Sequence, residues 1–436
     1  MINTNKHIIH LKESTCIGNE LSYDIIQFIN AQVVSKNSFF HFSDKERDTE
    51  PVFNYYNNQW WVNRFVGEIS FTFQEEEYQI IIKPRFGELF LFELLEVIFN
   101  FKFAKSKQSL SKSDTTDDYI KRIIAKIWLS KLIQANKYGL PRTNKKRVFS
   151  GAQIKGKLEV RDSISLYKNN NKLISSSYEK TINPDIASLL YETFKKLSKS
   201  YGLPQINKLP KNAIQIIQQL ELARSKSLNG QSFYDTSKLP KIYQSFKEVL
   251  DLSISILANK IMNNQVSNKH GYAFFMDMAE IWEMYLLKIF QEKFKLEGWQ
   301  VESETIQSYK GSFYSRKLIP DIVLSKGNRV AVFDAKYKLM KGHYLDVDRS
   351  DFFQIHTYKA YYNKKKQLVI SGLLYPIISN NIKKEPVNSI LNDYTKFLIS
   401  GINIEDFECT EESLLKFKVS SNELISLIKK EINIKI

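Results

Sequence analysis

The sequence predicts an α+β chain of more than one domain, on three observations. Apolar residues alternate as in paired strands between residues 60 and 83. They recur at helical spacing between 119 and 136. Nearer the C-terminus, two apolar strands joined by a short turn precede a helix and a further apolar strand. The expected organisation is a β-rich N-terminal region (1–103), a basic and mainly helical middle region (104–265), and a C-terminal α/β domain (266–436) with a mixed sheet flanked by helices. With 436 residues, 43% of them hydrophobic, the chain can build several packed cores, which excludes global disorder.

In the first region, Trp60–Phe73 and Tyr78–Lys83 read as a strand pair around Gln74-Glu75-Glu76-Glu77. Pro84-Arg85-Phe86-Gly87 closes it, and a helix follows over Leu89–Phe99. Residues 103–118 are rich in Lys, Ser, Gln, Asp and Thr and read as a polar linker. Tyr119–Asn136 then carries Ile123, Ile124, Ile127, Trp128 and Leu132 on one helical face, stopped by Tyr138-Gly139-Leu140-Pro141. The same stop recurs at Tyr201-Gly202-Leu203-Pro204. The flanks differ, so this is reused chemistry and not a repeat. Phe149–Val160 reads as a strand pair, 168–172 as a loop, and 211–225 and 240–264 as helices. Asn263–Gly271 marks the last boundary.

In the third region a helix is expected over Phe274–Leu296 and a strand over Gln300–Glu304. A hairpin turns at Lys326-Gly327-Asn328, followed by a helix over Asp351–Tyr362 and a buried strand over Gln367–Tyr375.

The net charge of +16 is concentrated. Residues 101–250 hold 29 Lys and Arg against 11 Asp and Glu, or +18, which points to a polyanion or an acidic partner surface. Cys16 and Cys409 form no CxxC pair, which removes the basis for zinc-knuckle and disulfide frameworks and suits a reducing, cytoplasmic setting. The first residues lack the basic-then-apolar pattern of a signal peptide. The most apolar stretch, Leu89–Phe103, is interrupted by Glu93, Glu96 and Lys102, so no membrane partner is expected. No GxxxxGK loop occurs, so any nucleotide hydrolysis must come from a partner.

The chemistry concentrates in the hairpin, where Asp321 opens one apolar strand and Asp334-Ala335-Lys336 ends the next. Strand alternation puts Asp334 and Lys336 on one face, and the short turn brings Asp321 close to opposite Asp334. Two carboxylates about 5 Å apart repel by roughly 3 kcal/mol at an effective dielectric of about 20, so the cluster calls for a cation. Hard oxygen ligands favour Mg²⁺ or Mn²⁺, which would acidify bound water and offset charge on a phosphate. Lys336 would orient that water or stabilise the transition state. A glutamate of the preceding helix, Glu280 or Glu283, is within reach of the same edge. Gln354 and Tyr358, at i and i+4, project from one side of the following helix toward a site carboxylate or a DNA backbone oxygen. His7-Ile8-Ile9-His10 has metal-like spacing only on a helix, and the run reads as extended.

The order of a helix with Glu283, Pro320-Asp321, Asp334-Ala335-Lys336 and Gln354-x-x-x-Tyr358 is similar to the PD-(D/E)xK nuclease superfamily. More narrowly, the chain resembles the McrC family, the nuclease subunits of McrBC-type modification-dependent restriction systems. That resemblance includes the run from Phe274 to Glu283, Val66-Gly67-Glu68-Ile69 with Ile82-Lys83-Pro84-Arg85, and Gly139-Leu140-Pro141-Arg142 with Gly156-Lys157-Leu158. It implies a C-terminal restriction-endonuclease-like domain that cuts DNA. Glu283, Asp321, Asp334 and Lys336 would be catalytic, supported by Gln354 and Tyr358, and Asp321, Asp334 and Glu283 would hold the metal. It also implies N-terminal docking on a McrB-like AAA+ GTPase ring, which recognises the modified base. The basic middle region could serve docking or DNA. Two alternatives remain at this level: a stand-alone nuclease acting directly on DNA, and a non-catalytic interaction subunit.

Overall fold

Two hydrophobic sheets organise the part of the chain that carries the acid–lysine residues. The structure, a computed structural model, describes residues 6–34, 38–40, 50–99, 116–164, 172–225, 234–257, 271–311, 315–338, 347–378, 387–388, 395–404 and 411–433. Two compact units emerge. Met1–Ser106 joins Ser267–Ile436, and Lys107–Val266 stands as the other. The N-terminal region therefore shares a unit with the C-terminal domain.

The first strands of that unit are β1 (Lys6–Lys12), β2 (Phe39–Phe40), β3 (Phe53–Tyr56), β4 (Gln59–Val62), β5 (Phe65–Phe73) and β6 (Glu76–Lys83). The continuous strand expected from Trp60 is broken after Val62. Asn63 and Arg64 turn out of the ladder there, their side chains bound to Glu50. β5 and β6 pair from Phe73↔Glu76 to Gly67↔Ile82, around a turn in which Gln74 and Glu75 both take positive φ. A primed two-residue turn demands that geometry. A helix follows at Glu88–Phe99.

The middle unit holds helices Thr116–Ala135, Pro184–Ser200, Lys211–Ala223 and Lys247–Leu257. Trp128 is fully buried among them, and its indole N–H donates to Ser253 Oγ at 2.7 Å. Asn183 caps Pro184–Ser200 by accepting from Asp185 N and Ile186 N, with Pro184 in the first turn. The strand pair expected at 149–160 is instead a longer ribbon. In it β7 (Arg142–Gly151) pairs with β9 (Leu173–Ile182), and β8 (Lys157–Leu158) lies along β9. Of the expected polar linker 103–118, residues 103–115 lie outside the described residues, as do 168–171 of the expected loop 168–172, the last expected helix beyond 257, and 263–270 of the expected boundary.

The chain re-enters the first unit as β10 (Gly271–Asp277), where a helix from Phe274 was expected. Phe274, Phe275 and Met276 are buried, and β10 pairs with β5 on one side and β2 on the other. Burial on both sides favours an apolar strand over a helix start. The helix begins at Met278, after Asp277 caps it by accepting from Ala279 N at 2.8 Å, and runs to Phe294. The first sheet thus has the order β1-β6-β5-β10-β2.

The second sheet is mixed, in the order β11-β14-β15-β16-β18-β17. Its strands are β11 (Gln300–Glu302), β14 (Ile322–Lys326), β15 (Arg329–Ala335), β16 (Gln367–Ile377), β17 (Val387–Asn388) and β18 (Lys396–Asn403), with β12 (Ile306–Lys310) and β13 (Ser315–Leu318) as a separate pair. β14 and β15 are antiparallel, whereas β15–β16 and β16–β18 are parallel. Alternation along β15 sorts its side chains. Val330 and Val332 pack with Ile355, Tyr358 and Tyr362 of the helix Arg349–Asn363. Phe333 packs against Phe290 of the helix Met278–Phe294, with ring centroids 5.6 Å apart and the planes tilted. A final helix, Glu411–Asn433, packs on β18 and β16. No helix among the described residues is long and apolar enough to cross a membrane.

Candidate active site

The register of β14 and β15, Lys326↔Arg329 through Ile322↔Phe333, is set by the two-residue turn Gly327-Asn328, with Gly327 at φ 58°. One further step along the ladder sets Asp321 opposite Asp334. Pro320 has no N–H to extend the ladder, so the strand begins after it. Asp321 closes the gap with its side chain: Oδ2 accepts the backbone N–H of Ala335 at 2.9 Å. Both carboxylates are buried, Asp334 at 1% exposure.

Lys336 binds the cluster together. Its Nζ lies 2.6 Å from Asp334 Oδ2, an ion pair outside hydrogen-bond alignment, and donates to Gln354 Oε1 at 2.7 Å. Gln354 Nε2 donates to the Tyr358 hydroxyl at 2.8 Å, and that hydroxyl donates to the Ile319 carbonyl at 3.2 Å. The chain of contacts therefore runs from Asp334 to the backbone two residues before Asp321. It also fixes which way the Gln354 amide faces. These two side chains share a helical face because they stand four residues apart, on a helix capped by Asp348 through Ser350 N.

Electrostatics follow from burial. Asp334 is pushed above the ordinary carboxylate range chiefly by desolvation. Lys336 opposes this, while the charges of Glu283 and Asp351 add to it. For Lys336, burial lowers the pKa, but Asp334, then Asp351 and Asp321, outweigh it and the net shift is upward. Burial also raises Tyr358, with the Asp334 charge adding to it. Glu283 is half-buried on the helix Met278–Phe294 and bears on Asp334 through its charge, while Glu280 is fully buried one turn earlier.

Sequence reasoning missed two contributors. Asp351, 4% exposed, approaches Lys336 Nζ at 3.5 Å with Oδ1 and Lys338 Nζ at 2.8 Å with Oδ2. Its spacing of three from Gln354 and seven from Tyr358 was the available signal, since those intervals share a helical face. Tyr337 is buried and gives its hydroxyl to Glu13 Oε1 at 2.9 Å, a contact across 324 residues that no local pattern reveals.

Asp321, Asp351 and Glu283 bear on the Asp334–Lys336 pair, while Lys338 is shared between Asp351 and Asp348, so negative charge is in excess. A divalent cation would offset that excess, and the hard oxygen donors suit Mg²⁺ or Mn²⁺. Among the described residues no group of three or more His, Cys, Asp or Glu is arranged to hold a metal ion. Two carboxylates with water and substrate oxygens are the usual Mg²⁺ complement, so the residues fit that ion.

The fold and the site define an α+β protein with a buried Asp–Lys–Asp centre at the end of a mixed sheet. A family model described as "McrBC 5-methylcytosine restriction system component" matches residues 62–376, and the chain belongs to that family. No curated protein matches. Among solved structures, the chain is similar to one in a refined half-complex from the tetradecameric assembly of Thermococcus gammatolerans McrB AAA+ hexamers with bound McrC. That likeness has 14% identity, 96% of this chain and 100% of the other covered, and a TM-score of 0.49. A second, in the cryo-EM structure of the Thermococcus gammatolerans McrBC complex, has 13% identity, covers 66% and 88%, and has a TM-score of 0.32. Membership rests on the family match over residues 62–376.

Proposed function

We propose that this chain is the DNA-cleaving, McrC-type subunit of a McrBC-like restriction system, with a PD-(D/E)xK centre activated by a McrB-like, GTP-hydrolysing AAA+ ring. The observation that carries this reading is the joining of Asp321, Asp334, Lys336, Gln354 and Tyr358 into one network around a buried carboxylate pair. Family membership supplies the restriction setting.

Asp321 and Asp334 would hold Mg²⁺ or Mn²⁺, with Glu283 nearby as a further carboxylate. When bound, the ion would supply Lewis acidity to a phosphate oxygen and lower the pKa of water. The chain's own residues do the rest. Lys336, kept protonated by its acidic neighbours, sets positive charge where the phosphorane's charge grows. Gln354 holds the ammonium in place, and Tyr358 orients Gln354. The buried setting strengthens each of these interactions.

The test combines the full chain, its AAA+ partner, GTP, Mg²⁺ and a methylcytosine-containing plasmid. Asp334→Asn should abolish cutting while leaving assembly with the ring intact. Cutting at the normal rate by this variant would sink the assignment.

A stand-alone nuclease is the second reading. One observation favours it: in the middle unit, Arg142, Lys145, Lys146 and Arg147 lie exposed along β7, the last two paired with Glu159 and Glu179. Direct duplex binding through such residues would weaken with salt at a log–log slope of about −0.9 per neutralised phosphate. Salt-insensitive or absent binding by the isolated chain favours the ring-dependent reading.

A further inference from the structure

Three strand ends converge on the residue that follows Lys336. Glu13 follows β1, Arg85 follows β6, and Tyr337 follows β15. Glu13 is 0% exposed, and its backbone N–H is fixed on the Lys83 carbonyl at 2.9 Å. Its Oε1 accepts the Tyr337 hydroxyl at 2.9 Å and the Arg85 backbone N–H at 3.2 Å, with Arg85 Nε 3.4 Å away. The Arg85 guanidinium lies 4.5 Å from the centre of the Tyr337 ring and 4.7 Å from that of Phe86. It also donates to the Tyr337 carbonyl at 3.2 Å. Tyr337 is thus gripped at its hydroxyl, its ring and its carbonyl.

An ion pair taken out of water is costly, and well-packed apolar residues of similar volume fold as well or better. Such a cluster earns its place where it specifies one geometry. Here the geometry is that of the adjoining residue. Lys336 donates its backbone N–H to Leu374 O at 2.9 Å on one side, and Tyr337 is anchored on the other. Both ends of the Lys336 backbone are therefore fixed, and its ammonium reaches Asp334 and Gln354 from a set position.

We propose that Glu13, Arg85 and Tyr337 are positioning residues for Lys336, so that the N-terminal sheet supplies part of the frame of the cleavage centre. The inference rests on the nuclease reading above. It adds that an element far away in sequence governs the rate of the chemical step without touching substrate.

The experiment uses the full chain with its AAA+ partner, GTP, Mg²⁺ and methylated plasmid. Tyr337→Phe deletes the hydroxyl and keeps the ring. Glu13→Gln keeps an acceptor and removes the charge. Val33→Ala is a control that weakens the core of the N-terminal region on a helical turn, Ile29–Val33, and not on a strand that leads into the cluster. Tyr337→Phe should lower kcat by roughly ten-fold or more, as misplacement by an ångström does, with KM within about two-fold. Glu13→Gln should fall between it and the wild type, and Val33→Ala should lower Tm with kcat unchanged. Hydrogen exchange at residues 334–338 should quicken in Tyr337→Phe and Glu13→Gln but not in the control. Wild-type kcat together with unchanged exchange in both cluster variants would overturn the proposal, as would an equal kcat loss in Val33→Ala. If the wild type does not cut and exchange still quickens selectively, the nuclease reading fails and the hold on Lys336 stands.

Discussion

Asp321 accepts the backbone N–H of Ala335 at 2.9 Å, so one acid both belongs to the charge cluster and closes the hairpin that carries it. The two roles separate by substitution. Asparagine keeps an oxygen for that N–H and loses only the charge. Alanine leaves a buried N–H without an acceptor, at a cost of about 1–3 kcal/mol. Asp321→Asn should therefore melt close to the wild type and lose Mn²⁺ uptake in calorimetric titration, whereas Asp321→Ala should lose both stability and uptake. Equal melting of the two variants would show that the bond does not hold the hairpin.

Lys336 is the counter-charge of a carboxylate that is 1% exposed. Removing one partner of a buried ion pair costs about 3–5 kcal/mol, because the other is left charged and unpaired. Lys336→Met should fall in that range, and Asp334→Asn on top of it should recover most of the loss. Lys338 stays engaged with Asp351 at 2.8 Å in either background, so its ammonium does not substitute for the missing one. A dication can. Mn²⁺ should raise the Tm of Lys336→Met more than that of the wild type, by binding the native state alone. Equal shifts in thermal denaturation would argue that no cation binds at Asp334.

The helix presenting Asp351, Gln354 and Tyr358 starts at a cap whose charge titrates. Hydrogen bonds from the Ser350 hydroxyl and backbone N–H, with the Lys338 charge, hold the carboxyl of Asp348 down at about 2 against an ordinary 3.8. A folded-state value below the unfolded one stabilises the fold above the unfolded pKa. That contribution disappears as pH falls through the folded value. Asp348→Asn keeps a capping oxygen but no charge. The stability difference between wild type and this variant, followed by urea denaturation, should hold steady at neutral pH and shrink between 3.8 and about 2. A difference that grows on acidification would contradict this origin of the cap's strength.

Much of the hairpin was legible because its determinants are local. Gly327 in the turn, the apolar run from Val330 to Phe333 and the period of two fix which acids face which way. That Gln354 and Tyr358 share a side of their helix was legible for the same reason, but their partners were not: in place of a carboxylate, Gln354 takes the Lys336 ammonium and Tyr358 the Ile319 carbonyl. The strand at Phe274–Asp277 was not. Its apolar residues fit a buried helix as well as a strand with neighbours on both sides, and only pairing with β5 and β2 decides between them. The long ribbon of β7 and β9 was likewise hidden, because exposed polar residues along β7 show no alternation. Glu13 and Arg85 were beyond reach, since their roles depend on a contact with Tyr337 set by how the first sheet joins the second.

The pairing of β5 with β10 gives a final prediction. Gly67 pairs with Phe275 on β10, and a Cβ added at Gly67 would stand 1.9 Å from the Phe274 carbonyl oxygen. Backbone cannot yield as a side-chain tip can, so Gly67→Ala must push β10 off β5. Overpacking of this kind costs about 1–3 kcal/mol even where the neighbour gives way. The damage should reach the helix Met278–Phe294, because β10 runs directly into its cap at Asp277, which Arg64 holds at 3.0 Å. Gly151→Ala is the matched control: a Cβ there meets nothing within 4 Å, and an unhindered surface change stays within about 0.5 kcal/mol. Thermal denaturation should separate the two clearly. Hydrogen exchange should quicken across Gly271–Asp277 and the first turn after Met278 in Gly67→Ala alone. Equal melting of both variants would mean that β10 does not pair with β5 at Gly67.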